Sequence, residues 1–218
     1  RQKDLGSAEV FWRRTLKDVS GATVFSVEAS HNREANEPYG EQRLTLSLEA
    51  STSLRQLARQ HGLTLNILTQ GAWALLLSRY TGERQVVFGN TVSGRAIDLA
   101  GVEEMVGVFI NTLPVRVEVN ESEEVLSWLK RLQAEQAEAR QYEYTPVAEV
   151  QKWSGTGKGM PLFESILVFG NQPDQGNGPW AFADRSLQRT GYPIQILFEP
   201  DEKLSLRLTY QTHLFDEA

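Results

Sequence analysis

The stretch Met105-Val106-Gly107-Val108-Phe109-Ile110-Asn111-Thr112-Leu113-Pro114-Val115-Arg116 decides the fold of this chain. Its apolar and β-branched residues lie between Gly107 and a polar segment, Glu118 to Glu124, which predicts a strand. Alternation along the strand puts these residues on one face: Phe109, Asn111, Leu113, Val115 and Val117. Because Pro114 cannot donate a ladder hydrogen bond, it predicts a sheet edge or a bulge along the strand.

Asn111 is the polar residue on this otherwise apolar face. Burying an amide is costly unless its hydrogen bonds are made, so the side chain must have a specific role. Two interpretations follow from the residues alone. In one, Asn111 is a core residue bonded to neighbouring backbone; in the other, it contributes to a functional site.

Composition restricts the class of protein. The chain has 218 residues and a formal net charge of −6, which suits a globular domain and argues against binding to nucleic acid. No apolar run approaches the roughly 18 residues of a membrane span, and no signal peptide is apparent, so a cytoplasmic protein is expected. Cysteine is absent and no histidines have ligand spacing, so no metal site is predicted. A start at Arg1 without Met and an abrupt stop at Ala218 suggest part of a longer protein.

Periodicity and turn residues predict mixed helices and strands. The predicted helices are one capped by Ser7 and ending before Gly21, one from Ser51 or Ser53 to His61-Gly62, one over 65–80, one capped by Ser122 and a short one from Thr145-Pro146. The predicted strands are 44–48, 86–88 with a loop over 89–95, 163–169, and a hairpin of 194–198 and 204–210. Segments 28–42, 154–159 and 171–193 are predicted loops. The pattern indicates an α/β sandwich.

Two elements carry expectations about burial. The helix over 65–80 is apolar on nearly every side, which predicts burial on nearly every side. In the second strand of the hairpin, leucines and Tyr210 alternate with Ser205, Arg207 and Thr209. That alternation predicts that one face meets solvent or a partner.

The stretch Val106-Gly107-Val108-Phe109-Ile110-Asn111-Thr112, followed by Arg116, resembles the fifth motif of nonribosomal peptide synthetase condensation domains, V-G-x-F-(I/V)-N-T. Related epimerisation domains have Trp after the Gly and lack the Asn-Thr pair. The segments 64–82, 86–95 and 161–169 resemble further parts of the family. Two departures occur: Tyr144-Thr145-Pro146-Val147 where the family has Gln-Asp-x-Pro-Phe, and Gly159-Met160 where it has Arg-Asn.

This resemblance implies a chloramphenicol acetyltransferase-like two-layer sandwich with a mixed sheet and helices, one lobe of a two-lobe, V-shaped domain. Donor and acceptor carrier proteins would deliver thioesters on 4′-phosphopantetheine, with no cofactor bound directly. The resemblance assigns Asn90, Ser93, Gly107, Phe109, Asn111 and Thr112 to the substrate tunnel. It assigns Arg95 to a pair across the cleft with an aspartate of the other lobe, and about 171–192 to a latch that crosses to that lobe.

The family's His-His-x-x-x-Asp-Gly motif, whose second His acts on the acceptor amine, has no counterpart here. The three histidines are His31, His61 and His213, and none neighbours another. No catalytic residue is therefore predicted, and residues 1–218 are interpreted as the C-terminal lobe, whose partner is the N-terminal lobe. The alternatives are a lobe of an epimerisation or ester-forming relative, a non-catalytic carrier-protein docking module, and a small coenzyme A acyltransferase, which the missing motif disfavours.

Overall fold

The computed structural model describes residues 5–19, 21–23, 39–93, 107, 109–157, 160–170 and 190–215. The helices are α1 (Leu5–Thr15), α2 (Leu48–His61), α3 (Leu65–Thr81), α4 (Val125–Ala139) and α5 (Val147–Trp153), with a 3-10 turn at Arg140–Tyr142. The strands are β1 (Tyr39–Thr45), β2 (Gln85–Val92), β3 (Asn111–Glu118), β4 (Ser165–Phe169), β5 (Ile194–Glu199) and β6 (Ser205–Gln211). Arg95, His31 and residues 171–189 of the predicted latch lie outside the described residues.

The chain divides into two compact units. The first comprises residues 1–25 and 70–164 and contains α1, most of α3, α4, α5 and the antiparallel pair β2–β3. Their register runs without interruption from Gln85 opposite Glu118 to Val92 opposite Asn111. Pro114 lies opposite Gly89 with no bulge, and among the described strands β3 is at the end of its sheet. The predicted edge is therefore confirmed.

The organising strand begins at Asn111, two residues later than the alternation indicated. Its partner β2 ends at Val92, opposite Asn111, so among the described residues Phe109 and Ile110 lie beyond the ladder. The predicted core face is confirmed, since Leu113, Val115 and Val117 are all buried. β2 is longer than predicted and places Asn90 inside the strand rather than in a loop.

The second unit comprises residues 26–69 and 165–218 and contains α2 and a four-strand ladder in the order β1-β6-β5-β4. β4 and β5 are parallel, whereas the other two pairs are antiparallel. The β5–β6 pair confirms the predicted hairpin. The second unit thus contains a mixed sheet, as the resemblance implied.

In β6 the polar residues are buried, which the alternation did not indicate. Ser205, Arg207 and Thr209 are buried, while Leu206 and Leu208 are only half-buried. The polar face can be buried because Glu199 accepts hydrogen bonds from the Ser205 hydroxyl at 2.8 Å and from the Arg207 guanidinium at 3.0 Å. Alternation separates two faces but does not tell which one is covered.

The strand and helix predicted around residues 44–51 are displaced from the observed ones. The strand is β1, which ends at Thr45, and Leu48 is the first residue of α2. Ser47 starts this helix early, because its hydroxyl accepts a hydrogen bond from the Ala50 N–H at 3.1 Å. The predicted end is confirmed by Gly62, whose positive φ of 66° closes the helix.

α3 has the predicted bounds but not the predicted burial. Ala74 and Leu77 are fully buried, whereas Leu75, Leu76 and Tyr80 are exposed. One side of the helix approaches α4 so closely that a Cβ at Gly71 would lie 2.5 Å from Leu129 Cδ2. The apolar composition of α3 on all sides therefore does not show which side packs against other parts of the chain.

The remaining helices differ from prediction mainly at their starts. α1 begins at Leu5, before Ser7. Glu124, not Ser122, occupies the N-cap position of α4, because Ser122 lies in the preceding turn and donates its N–H to Asn120 Oδ1 at 3.0 Å. α5 follows Pro146, as predicted. Among the described residues, no helix has the length and apolar character to cross a membrane.

Candidate functional site

The residues assigned to the tunnel meet at one end of the β2–β3 pair. Asn90 lies in β2, Asn111 and Thr112 open β3, and the remaining three flank the strands: Ser93, Gly107 and Phe109. Ser93 and Gly107 are exposed and Phe109 is half-buried. The structure therefore brings together the assigned residues that it describes, although they are up to 22 residues apart, from Asn90 to Thr112.

These residues do not form a single wall. Asn90 lies opposite Leu113, so Asn90 and Asn111 share the face that carries the buried apolar residues. Thr112 points to the other face, where it lies opposite Thr91, and both are half-buried. Thr91 was not among the assigned residues, and the cross-strand register is the signal that identifies it.

The side-chain amide of Asn111 forms hydrogen bonds with the backbone of the chain itself. Its Nδ2 donates to the carbonyl oxygens of Glu143 at 2.9 Å and of Thr145 at 2.7 Å. Its Oδ1 accepts from the Thr112 N–H at 3.0 Å. This geometry agrees with the interpretation of a strand residue bonded to neighbouring backbone, and it accounts for both amide protons.

The segment that Asn111 holds, residues 143–145, leads directly into α5; we call it the 143–145 turn. The Thr145 N–H donates to the Tyr142 carbonyl at 3.0 Å, and the Glu149 N–H donates to the Pro146 carbonyl at 2.9 Å. Tyr142 stacks on Phe11 of α1 with ring centroids 4.4 Å apart. Contacts from β3 and from α1 thus converge on residues 142–145.

Asn90 differs from Asn111 in having a buried acceptor without a donor. Its side chain is 6% exposed, and among the described residues Oδ1 has no hydrogen-bond partner. The fully buried Thr145 hydroxyl is likewise without one. A buried polar atom in this state typically costs about 1–3 kcal/mol, so this corner offers hydrogen-bonding capacity that the described protein atoms do not use.

Glu164 is an ionisable residue that the sequence patterns did not single out. Partial burial raises the pKa of the Glu164 carboxyl, which lies directly before β4 in segment 161–169, one of those that resemble the family. By contrast, the hydrogen bond from Arg131 lowers the pKa of the Glu123 carboxyl at the start of α4. Burial, which the sequence does not reveal, produces the first shift.

Two of the three histidines, His61 and His213, lie in the described part of the chain. His61 is half-buried at the end of α2, and His213 is exposed after β6. Within the described ranges, no three His, Cys, Asp or Glu side chains are placed to hold a metal ion. The described part of the chain therefore presents hydrogen-bonding side chains and a strand end.

Comparison with known proteins identifies the family. The model of the condensation domain matches residues 1–218. The chain belongs to the condensation-domain family. It is 45% identical over 225 residues to a linear gramicidin synthase polypeptide of Brevibacillus parabrevis, covering 100% of the chain and 4% of that protein. It is 43% identical over 222 residues to chondramide synthase cmdD of Chondromyces crocatus, covering 97% of the chain and 6% of that protein. The chain thus spans only a small part of these curated relatives.

Solved structures confirm the fold of this condensation-domain chain. Holo-AB3403, a four-domain nonribosomal peptide synthetase, superposes with a TM-score of 0.79 at 18% identity, over 99% of the chain and 18% of that structure. The X-domain from teicoplanin biosynthesis superposes with a TM-score of 0.74 at 20% identity, over 100% of the chain and 51% of that structure. The predicted mixed α/β, chloramphenicol acetyltransferase-like fold is confirmed, whereas the tunnel assignments stay predictions.

Proposed function

We propose that this chain is the C-terminal lobe of a nonribosomal peptide synthetase condensation domain whose intact form joins a donor and an acceptor thioester through an amide bond. The observation that carries the proposal is the family match over residues 1–218 in a sequence without the His-His-x-x-x-Asp-Gly motif. Its closely similar relatives include peptide synthases, such as those of linear gramicidin. Both substrates would arrive on the 4′-phosphopantetheine of carrier proteins.

Because this sequence lacks the motif that supplies the base, the two lobes would have different roles. An amine attacks a thioester efficiently only when a positioned group binds it or accepts its proton. None of the three histidines has the spacing that the motif requires. The N-terminal lobe would therefore supply the base, and this chain would supply part of the surface along which the substrates lie.

The end of the β2–β3 pair is the surface that this chain would contribute. Exposed Ser93 and Gly107 could border the substrate path there, and Asn90 holds a buried acceptor that a ligand N–H can use. Half-buried Phe109 and Thr112 belong to the same strand end. Arg95, which follows Ser93 by two residues, would pair with the aspartate of the other lobe; a guanidinium suits such a bidentate pair better than an ammonium.

The lack of a base also favours a second candidate, a module that docks carrier proteins without catalysis. An epimerisation relative is a third candidate, but the Asn111-Thr112 pair disfavours it, since that pair is absent from the epimerisation version of the motif. The docking module predicts that the intact protein binds loaded carriers and turns over none. The epimerisation relative predicts inversion of the carrier-bound residue without any bond between two substrates.

The test uses loaded donor and acceptor carriers with the intact protein and, separately, with this chain. We expect the intact protein to form a condensed product that stays attached to the acceptor carrier. This chain alone should give no product above the enzyme-free rate. Mass spectrometry of the carrier-bound species distinguishes a condensed, an epimerised and an unchanged residue. Product from this chain alone would refute the two-lobe assignment, and binding without turnover by the intact protein would favour the docking module.

A further inference from the structure

The fifth-motif segment and the segment before Pro146 are joined by one side chain. Asn111 Nδ2 donates two hydrogen bonds, at 2.9 Å and 2.7 Å, to carbonyl oxygens within the 143–145 turn. Pro146, which the family pattern shares, follows this turn, and the residues around it depart from that pattern. From this geometry we propose that Asn111 is a positioning residue, which holds the 143–145 turn and the start of α5 against the end of β3, and not a residue that contacts substrate.

The donor count supports this assignment. An asparagine amide carries two N–H donors, and both are directed at backbone carbonyls of the same turn. Its oxygen is also engaged, by the Thr112 N–H at 3.0 Å. A substrate could therefore gain a bond from the Asn111 N–H groups only if the turn lost one.

Long-range hydrogen bonds from Asn111 hold the 143–145 turn in addition to local ones. Thr145 N–H bonds to Tyr142 and Glu149 N–H bonds to Pro146, which orders the chain on either side of the turn. The Asn111 bonds instead reach across 32 and 34 residues of sequence. Removing them should loosen the segment from Glu143 to the first turn of α5 while leaving the β2–β3 ladder formed.

Asn90 provides the matched control. It is the same residue type, in the adjacent strand and on the same face, since it lies opposite Leu113, two residues along from Asn111. Unlike Asn111, its Oδ1 has no partner within the described part of the chain. Substitution of Asn90 therefore changes the same kind of side chain without removing a bond to the turn.

Hydrogen exchange of the free chain tests the proposal without any substrate. In Asn111→Ala, we expect the amides of Thr145, Glu149 and Val150 to exchange at least about tenfold faster, since the loss of two buried hydrogen bonds favours local opening. The Val87 amide, which bonds to the Thr23 hydroxyl at 2.8 Å, reports on unfolding of the β2 region and should keep its rate. Asn90→Ala should leave exchange in the turn unchanged.

Asn111→Asp adds a readout that general destabilisation would not give. At pH 7.5 its carboxylate would face two carbonyl oxygens, so exchange in the turn should be at least as fast as in Asn111→Ala. The protonated carboxyl has one O–H donor, so protection, corrected for intrinsic exchange, should recover as pH falls towards 5. The alanine variant should show no such recovery.

An activity measurement on the intact protein extends the test and rests on the proposed function. The ratio of Asn111→Asp to unsubstituted amide-forming activity should rise as pH falls, while the ratio for Asn111→Ala stays level. Unchanged exchange in the turn of Asn111→Ala, or an equal change in Asn90→Ala, would overturn the positioning role. If exchange behaves as expected and the intact protein forms no amide, the positioning role stands and the proposed function fails.

Discussion

The carboxylate of Glu199, at the end of β5, forms ion pairs with two arginines that differ in solvent exposure. Its carboxylate accepts from Arg207 at 3.0 Å and from Arg43 at 3.2 Å, and also from the Ser205 hydroxyl at 2.8 Å. The Arg207 side chain is 9% exposed, whereas that of Arg43 is 53% exposed. The two ion pairs share one carboxylate but differ in their access to water.

This difference sets the expected cost of each substitution. Glu199→Ala removes the carboxylate to which the buried Arg207 guanidinium donates, and breaking a buried pair typically costs about 3–5 kcal/mol. Arg43→Ala removes a solvent-exposed pair, which typically contributes about 0–1 kcal/mol. For a chain of this size each kcal/mol corresponds to about 2–4 °C in Tm, so the expected losses are about 6–20 °C and about 0–4 °C.

Urea denaturation followed by circular dichroism, with thermal melts alongside, measures both variants. Because the chain has two compact units, hydrogen exchange of the β6 amides should show that the loss arises in the second unit. The double variant Glu199→Leu with Arg207→Met should regain most of the stability, since replacing both members of a buried pair is often neutral. If Glu199→Ala costs no more than Arg43→Ala, the Arg207 charge is solvated and the reasoning from burial is wrong.

Gly40→Ala should destabilise β1 by about 1–3 kcal/mol, because the added Cβ would overlap the Tyr210 ring, and an unchanged urea midpoint would contradict this close packing. Burial raises the pKa of Glu164, so the folded chain binds the carboxyl proton more tightly than the unfolded chain does. The contribution of Glu164 to folding stability therefore falls as pH rises through the carboxyl range. Glu164→Gln should therefore be more stable than the unsubstituted chain at pH 7, with the difference diminishing towards pH 3; a difference independent of pH would refute the cause. In the intact protein, Arg95→Ala should cost about 3–5 kcal/mol if it strands a buried aspartate, and Arg95→Lys should recover part of that. Equal activity and Tm in the alanine variant and the unsubstituted protein would show that Arg95 is solvated.

Much of the fold was predictable because its signals are local. The bounds of α3 follow from Thr64 and Gly82, and the β5–β6 hairpin follows from two alternating runs around a polar turn. The fifth-motif resemblance rested on seven consecutive residues, 106–112, and the family match confirmed it. Such features depend on neighbouring residues and backbone geometry, so the sequence displays them directly.

The structure alone decided which faces are covered and what Asn111 contacts. Alternation in β6 separated leucines from Ser205 and Arg207, but Glu199 made the polar face the one that can be buried. The sequence by itself therefore determined the family, the element types and the position of the motifs. The covered faces and the hydrogen-bond partners of Asn111, which are 32 and 34 residues away, depend on how distant segments pack, and a local pattern holds no information about that packing.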